Sequence, residues 1–141
     1  MKQTYQTLIT ELLDAAKSAG ANGADAMLAR GQSTSVSVRH GKVESSERSE
    51  DFDIGLRVFV GQQTASISTS QLDADNFNEL AARAVTMAKL APEDPYVKLA
   101  NADQLAQHIP ALDIFDAGQP DVDRLRQRAN EAEAAALSIN G

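Results

Sequence analysis

Cysteine and tryptophan are absent from the 141-residue chain. Without cysteine there is no disulfide framework, no thiolate zinc site and no thiol nucleophile. Aromatic residues make up only 4%, but hydrophobic residues reach 43%, enough for a modest core. A chain of this size buries roughly two thirds of its unfolded surface, so covalent or metal staples are not obligatory. Basic residues are in deficit, 13 against 20 acidic ones, and the net charge of −7 argues against a nucleic-acid binder, which needs a basic surface for phosphates. The deficit is concentrated in residues 71–141, which carry −6, against −1 for residues 1–70. No apolar run approaches the roughly 20 residues that cross a bilayer, and Met1-Lys2-Gln3-Thr4 leads into a polar helix rather than a signal-peptide core. These features describe a soluble, intracellular domain without nucleic-acid or membrane partners.

Catalytic signatures are missing too. The two histidines, His40 and His108, belong to no metal-spaced pair, and His-Glu-x-x-His does not occur. Asp73-Ala-Asp75-Asn76 resembles the start of a calcium loop, but its sixth position is Asn78 rather than Gly and its twelfth is Ala84 rather than Glu. There is no phosphate-binding glycine loop and no Gly-x-Ser-x-Gly elbow. Gly20-Ala-Asn-Gly23 has a glycine spacing without the basic flank that would clamp RNA. Internal repeats and low-complexity tracts are also absent.

What is present is a clear alternation of helical and extended patterns. Leu8, Ile9, Leu12, Leu13 and Ala16 share one face of a helix over residues 4–19, with Gly20 as its stop. Residues 25–30 suit a short strand or a helix equally well. Between Ser33 and Glu47, the turn His40-Gly41 pairs Arg39 with Lys42, Val38 with Val43 and Ser37 with Glu44. Glu44 then lies diagonal to Arg39 and offsets the Arg39–Lys42 repulsion. Phe52, Ile54, Leu56, Val58 and Val60 alternate with Asp53, Gly55, Arg57 and Phe59, which requires one buried face. A Gly61-Gln62 turn sets Val58 against Ala65, Leu56 against Ile67 and Arg57 against Ser66.

Asp73 caps a helix bearing Phe77, Leu80, Ala81, Ala84, Ala88 and Ala91, ended by Pro92. Residues 92–120 read as an ordered wrapping segment with a short helix over 102–107, because Tyr96, Leu99, Leu105, Ile109, Leu112, Ile114 and Phe115 are too many apolar residues for a disordered linker. A last helix follows Pro120, with Asp121 and Asp123 in its first turn and a stripe of Val122, Leu125, Ala129, Ala132 and Ala136. The fold class is α+β: a largely antiparallel sheet of consecutive hairpins with amphipathic helices mainly on one face. Residues 1–116 form the domain and 117–141 a helix leading toward a missing region, since the apolar end Leu137-Ser-Ile suggests a piece of a longer protein.

Glu44, Glu47, Glu50, Asp51 and Asp53 read as solvated charges of a hairpin and its following loop rather than paired catalytic carboxylates. Ser35, Ser37, Ser66, Ser68 and Ser70 read as decoration of a polar sheet face. That face, or a sheet edge, is suited to receive an extended peptide, because backbone pairing needs little side-chain specificity. Arg39, Glu44, Arg57 and Ser66 are the candidate contact residues. Neither catalytic, cofactor nor metal residues are assigned.

The succession Gly23-Ala-Asp25, Ser33-Thr-Ser-Val-Ser-Val-Arg39-His-Gly-Lys-Val-Glu44, Gly55-Leu-Arg57-Val-Phe-Val-Gly61, Ala65-Ser-Ile-Ser-Thr-Ser70 and Ala91-Pro-Glu-Asp-Pro-Tyr96 resembles the N-terminal domain of the TldD/PmbA family, also called modulator of DNA gyrase. Ala111-Leu-Asp-Ile-Phe-Asp116 and the ending Glu131-Ala-Glu-Ala-Ala-Ala-Leu137 look more like the PmbA (TldE) branch. The resemblance implies a much longer, cytoplasmic bacterial protein in which TldD and PmbA subunits form a dimeric metalloprotease acting on small or unfolded peptides. It places zinc in a His-Glu-x-x-x-His motif of the TldD-type subunit, beyond this domain. The implied role here is non-catalytic, in assembly and in framing a substrate chamber, with a TldD-type subunit or a second copy as partner. The alternative is a peptide-binding or interaction module without a proteolytic role.

Overall fold

The computed structural model describes residues 4–114, 116, 118 and 121–139. Its elements follow the order α1 (Tyr5–Ser18), β1 (Gly23–Arg39), β2 (Lys42–Val60), β3 (Gln63–Thr69), α2 (Phe77–Leu90) and α3 (Val122–Ile139), with 3-10 turns at Ala74–Asn76 and Ala102–Gln104. The strands form one antiparallel sheet in the order β1-β2-β3, joined by consecutive hairpins, as the alternating pattern predicts. The chain divides into two compact units.

The first unit comprises the chain up to Arg30 together with Phe52–His108. Its first helix starts where the Thr4 hydroxyl accepts the Thr7 N–H at 3.2 Å. It stops at Gly20, whose φ of 101° lets Gly20 N–H reach the Lys17 carbonyl and Ala21 N–H reach the Ala16 carbonyl, both at 3.1 Å. That double closure is a Schellman end. Asn22 then ties the chain to the β2–β3 turn, donating its backbone N–H to the Phe59 carbonyl at 2.8 Å and accepting Gly61 N–H on Oδ1 at 2.7 Å. Asp73 caps the 3-10 turn that opens α2, accepting Asp75 N–H at 3.1 Å. The helix ends where Ala91, preceding Pro92, adopts an extended ψ of 154°.

Both helices pack on one face of the sheet. Leu8, Leu12 and Ala16 of α1, Phe77, Leu80, Ala81, Ala84, Val85 and Ala88 of α2, and Ile54, Leu56 and Val58 of β2 form one buried cluster. Ala16, Ala81, Ala84 and Ala88 are fully enclosed, so small side chains let the helices approach closely. The β2–β3 register places Leu56 opposite Ile67, Arg57 opposite Ser66 and Val58 opposite Ala65, the pairing that the Gly61-Gln62 turn predicts. Burial of Ile54, Leu56 and Val58 contributes about 1.5–3 kcal/mol each before entropy is subtracted. Phe52 at the end of the row is half-buried, its ring 6.2 Å from that of Tyr5.

The second unit comprises Gly31–Asp51 and the chain from Ile109 onward. Its hairpin closes at His40-Gly41, with φ of 51° and 72° at the two turn residues, as a type I′ turn requires. The expected diagonal ion pair forms, Arg39 Nη2 lying 2.8 Å from Glu44 Oε1. Helix α3 begins with Asp121 accepting Asp123 N–H at 3.0 Å, and no residue of the helix is buried.

Three expectations change. Residues 23–39 form one uninterrupted strand, so the ambiguous stretch 25–30 is extended. Glu47, Glu50 and Asp51 lie within the 19-residue β2 rather than in a loop, because the partner strand continues beside them and supplies a ladder. Most apolar residues after Pro92 stay outside the core: Tyr96, Leu105, Ile109, Leu112 and Ile114 are exposed, Tyr96 to 88%, whereas Leu99, 38% exposed, lies beside Gly23 and Phe59, and Phe115 lies outside the described residues.

Candidate functional site

Alternation along β2 puts Gly55, Arg57 and Phe59 on the sheet face opposite the helices. Asp25 of β1 brings its carboxylate to Arg57: Nε donates to Oδ1 at 3.0 Å, and Nη2 donates to Oδ2 in the second arm of the fork. The same guanidinium lies 5.2 Å from the centroid of the Phe59 ring. Asp25 therefore raises the Arg57 pKa further, chiefly by hydrogen bonding, with desolvation opposing it and the Asp25 charge adding the smallest contribution. The pair is electrically closed and conformationally fixed.

Beside it lies an open cleft of about 530 Å³, bordered by Asp25, Met27, Gly55, Arg57, Ser66 and Ser68. Gly55, opposite Ser68, carries no side chain, so the floor drops between Met27 on one strand and the serines on the other. A Cβ added at Gly55 would meet nothing closer than the Met27 carbonyl at 3.9 Å. Met27 is 72% exposed. The arrangement offers an apolar strip, hydroxyls and a fixed ion pair along three strands, which suits an extended chain better than a reacting centre.

Of the four residues proposed from sequence, Arg57 and Ser66 face each other across β2 and β3, and Arg39 and Glu44 pair with each other on the hairpin of the second unit. Sequence reasoning missed Asp25, Met27 and Gly55, and placed Ser68 on the polar face without naming it among the contact residues. The i, i+2 spacing of Asp25 and Met27 was the available signal, obscured by the helical compatibility of Ala26-Met27-Leu28-Ala29. It also missed Glu133, whose carboxylate accepts the His40 and Gly41 N–H groups at 2.7 and 2.8 Å. A contact across 92 and 93 residues leaves no local pattern.

Among the described residues, no three His, Asp or Glu side chains come together in a group able to hold a metal ion. The donor set does not fit a metal centre, and no chemical step is assigned to a metal within this chain. No helix among the described residues is long and apolar enough to cross a membrane.

The architecture is that of an α+β domain with α1 and α2 packed on one face of an antiparallel sheet and an open cleft on the other. Residues 24–88 match the family model described as PmbA/TldA metallopeptidase domain 1. Over 139 residues the chain is 31% identical to the metalloprotease PmbA homolog of Haemophilus influenzae, covering 99% of this chain and 31% of that protein. It is 29% identical over 119 residues to metalloprotease PmbA of Escherichia coli O157:H7, covering 84% of this chain and 26% of that protein. The chain thus spans about three tenths of the length of these curated relatives. A crystal structure named as a modulator of DNA gyrase from Bacteroides thetaiotaomicron VPI-5482 superposes with a TM-score of 0.72 at 20% identity, over 81% of this chain and 26% of that one. TldE from Thermococcus kodakarensis gives 0.59 at 15% identity, over 66% and 21%. The family model and the PmbA relatives support the chain as the N-terminal, PmbA/TldE-like domain of the PmbA/TldD family, and the two solved structures share its fold.

Proposed function

We propose that this domain is a non-catalytic part of a PmbA/TldE-like subunit, assembling with a TldD-type partner into a zinc-dependent peptidase and lining the chamber that receives small or unfolded peptides. The three-stranded cleft beside Asp25–Arg57 carries this reading: it offers a preorganised surface for an extended chain. In the assembly the domain orients substrate, while the zinc-bearing subunit supplies an activated water. Residues 1–116 constitute the domain in this scheme, and 117–141 lead onward into the longer protein. Dimerisation, peptide maturation and a cytoplasmic site of action belong to the same proposal.

The test mixes the full-length parent with a TldD-type subunit and follows peptide hydrolysis with and without a chelator. Gly55→Leu, which fills the cleft, is expected to raise KM while leaving subunit association intact. Hydrolysis by the purified 141-residue chain alone, or an unchanged KM in Gly55→Leu, refutes the assignment. The same cleft supports a second reading, an interaction module without proteolysis. Saturable binding of unfolded peptides by this chain, weakened by Arg57→Ala, combined with no hydrolysis in the full mixture, selects it.

A further inference from the structure

A two-residue hairpin turn leaves backbone donors at its tip that the strand ladder does not use. His40 and Gly41 both have positive φ, and consecutive residues of this kind form a concave pair of N–H groups suited to an anion. One side chain takes both donors: Glu133 of α3 accepts His40 N–H on Oε1 at 2.7 Å and Gly41 N–H on Oε2 at 2.8 Å. Each oxygen has its own donor, so the carboxylate is held in a single orientation. Little else anchors this helix by burial. None of the 18 residues of α3 is buried, and Leu125, Ala129, Asn130 and Glu133 itself reach only partial cover. The charged neighbours on the ribbon, Arg39 and Glu44, are committed to each other at 2.8 Å.

We propose that Glu133 is a clasp that fastens α3 to the tip of the β1–β2 hairpin, making α3 a strap that detaches when the carboxylate is removed. Charge-assisted hydrogen bonds are the stronger kind, and here two act through one group where apolar burial is slight. Opening the clasp returns two donors to solvent and frees the helix from the tip without disturbing the core, whose buried residues all belong to the first unit.

The absence of cysteine permits a direct test. Spin labels on cysteines introduced at Ser37 and Arg128 in the 141-residue chain report the hairpin-to-helix distance. The parent and the control Glu131→Ala are expected to give one narrow distribution, Glu133→Ala a broad one, and Glu133→Gln, which keeps one acceptor oxygen, an intermediate one. Amide exchange at His40 and Gly41 should accelerate about tenfold or more in Glu133→Ala, with Leu56 and Val58 unchanged. A narrow distribution in Glu133→Ala, or equal acceleration at Leu56 and Val58, overturns the clasp.

Discussion

A carboxylate that accepts two backbone N–H groups favours its charged form. The Gly41 N–H is the largest influence holding the Glu133 pKa below the ordinary glutamate value, followed by the His40 N–H; desolvation opposes them, and the His40 charge adds the smallest pull. Because the folded pKa lies below the unfolded one, the contribution of this contact is fully present above the unfolded value of roughly 4.3 and is lost as pH falls through the lower folded value. The amide resonances of His40 and Gly41, followed from about pH 6 to about pH 2.5, should therefore titrate with a midpoint below that of a free glutamate. A midpoint at or above it means that the carboxylate does not hold the turn. Arg57 presents the opposite case. Hydrogen bonding to Asp25 raises its pKa, so the guanidinium stays charged throughout. With side chains 51% and 43% exposed, the pair is screened by solvent. Arg57→Ala should lower stability by about 1 kcal/mol or less in denaturant titration, and a loss above about 3 kcal/mol would make it a structural pair.

Strand β2 joins two different environments in one element. From Ile54 to Val60 it pairs with β3, whereas from Lys42 to Asp53 it extends past the end of β3. The alternation of Ile54, Leu56 and Val58 was legible because one face is packed by helices and the other is not, and period-2 burial leaves its mark directly in sequence. Both turns were legible for a related reason: positive φ restricts the residues allowed at His40-Gly41 and Gly61. The length of the ribbon was not. Residues 46–51 are all exposed, so no apolar rhythm distinguishes a ladder from a loop there, and the charges of Glu47, Glu50 and Asp51 point equally to either. Half of the cleft was hidden likewise, because Met27 and Gly55 contribute shape rather than chemistry. Leu56, 1% exposed at the centre of the core, should cost about 2–5 kcal/mol when changed to Ala, and Leu56→Asp should leave the first unit unfolded by circular dichroism. Gly61→Ala tests the turn alone. Nothing lies within 4 Å of the added Cβ, so the expected loss of about 1–2 kcal/mol in a thermal melt is purely conformational. A melt matching the parent would show that the turn relaxes to another type.

At the scale of the whole chain, apolar burial is distributed unequally. Every buried hydrophobic residue among those described, from Leu8 to Ala88, belongs to the first unit, while the second is held by hairpin ladders, a single-helix contact and surface ion pairs. Cooperative stability follows buried apolar area, whereas exposed ladders and surface pairs add little that resists local opening. The two units share the covalent course of β1 and β2, but a strand does not transmit stability along its length unless side chains lock it at both ends. Native-state hydrogen exchange should therefore resolve two tiers. Amides of α1, α2 and residues 54–60 should open only with global unfolding, and their exchange free energies should fall in parallel with added denaturant. Amides of residues 31–51 and α3 should exchange from a smaller opening that barely depends on denaturant, since little surface is exposed in it. A single tier, with α3 as protected as Leu12 and Val85, would mean that the helix is secured by more than its clasp and that both units fold as one cooperative body.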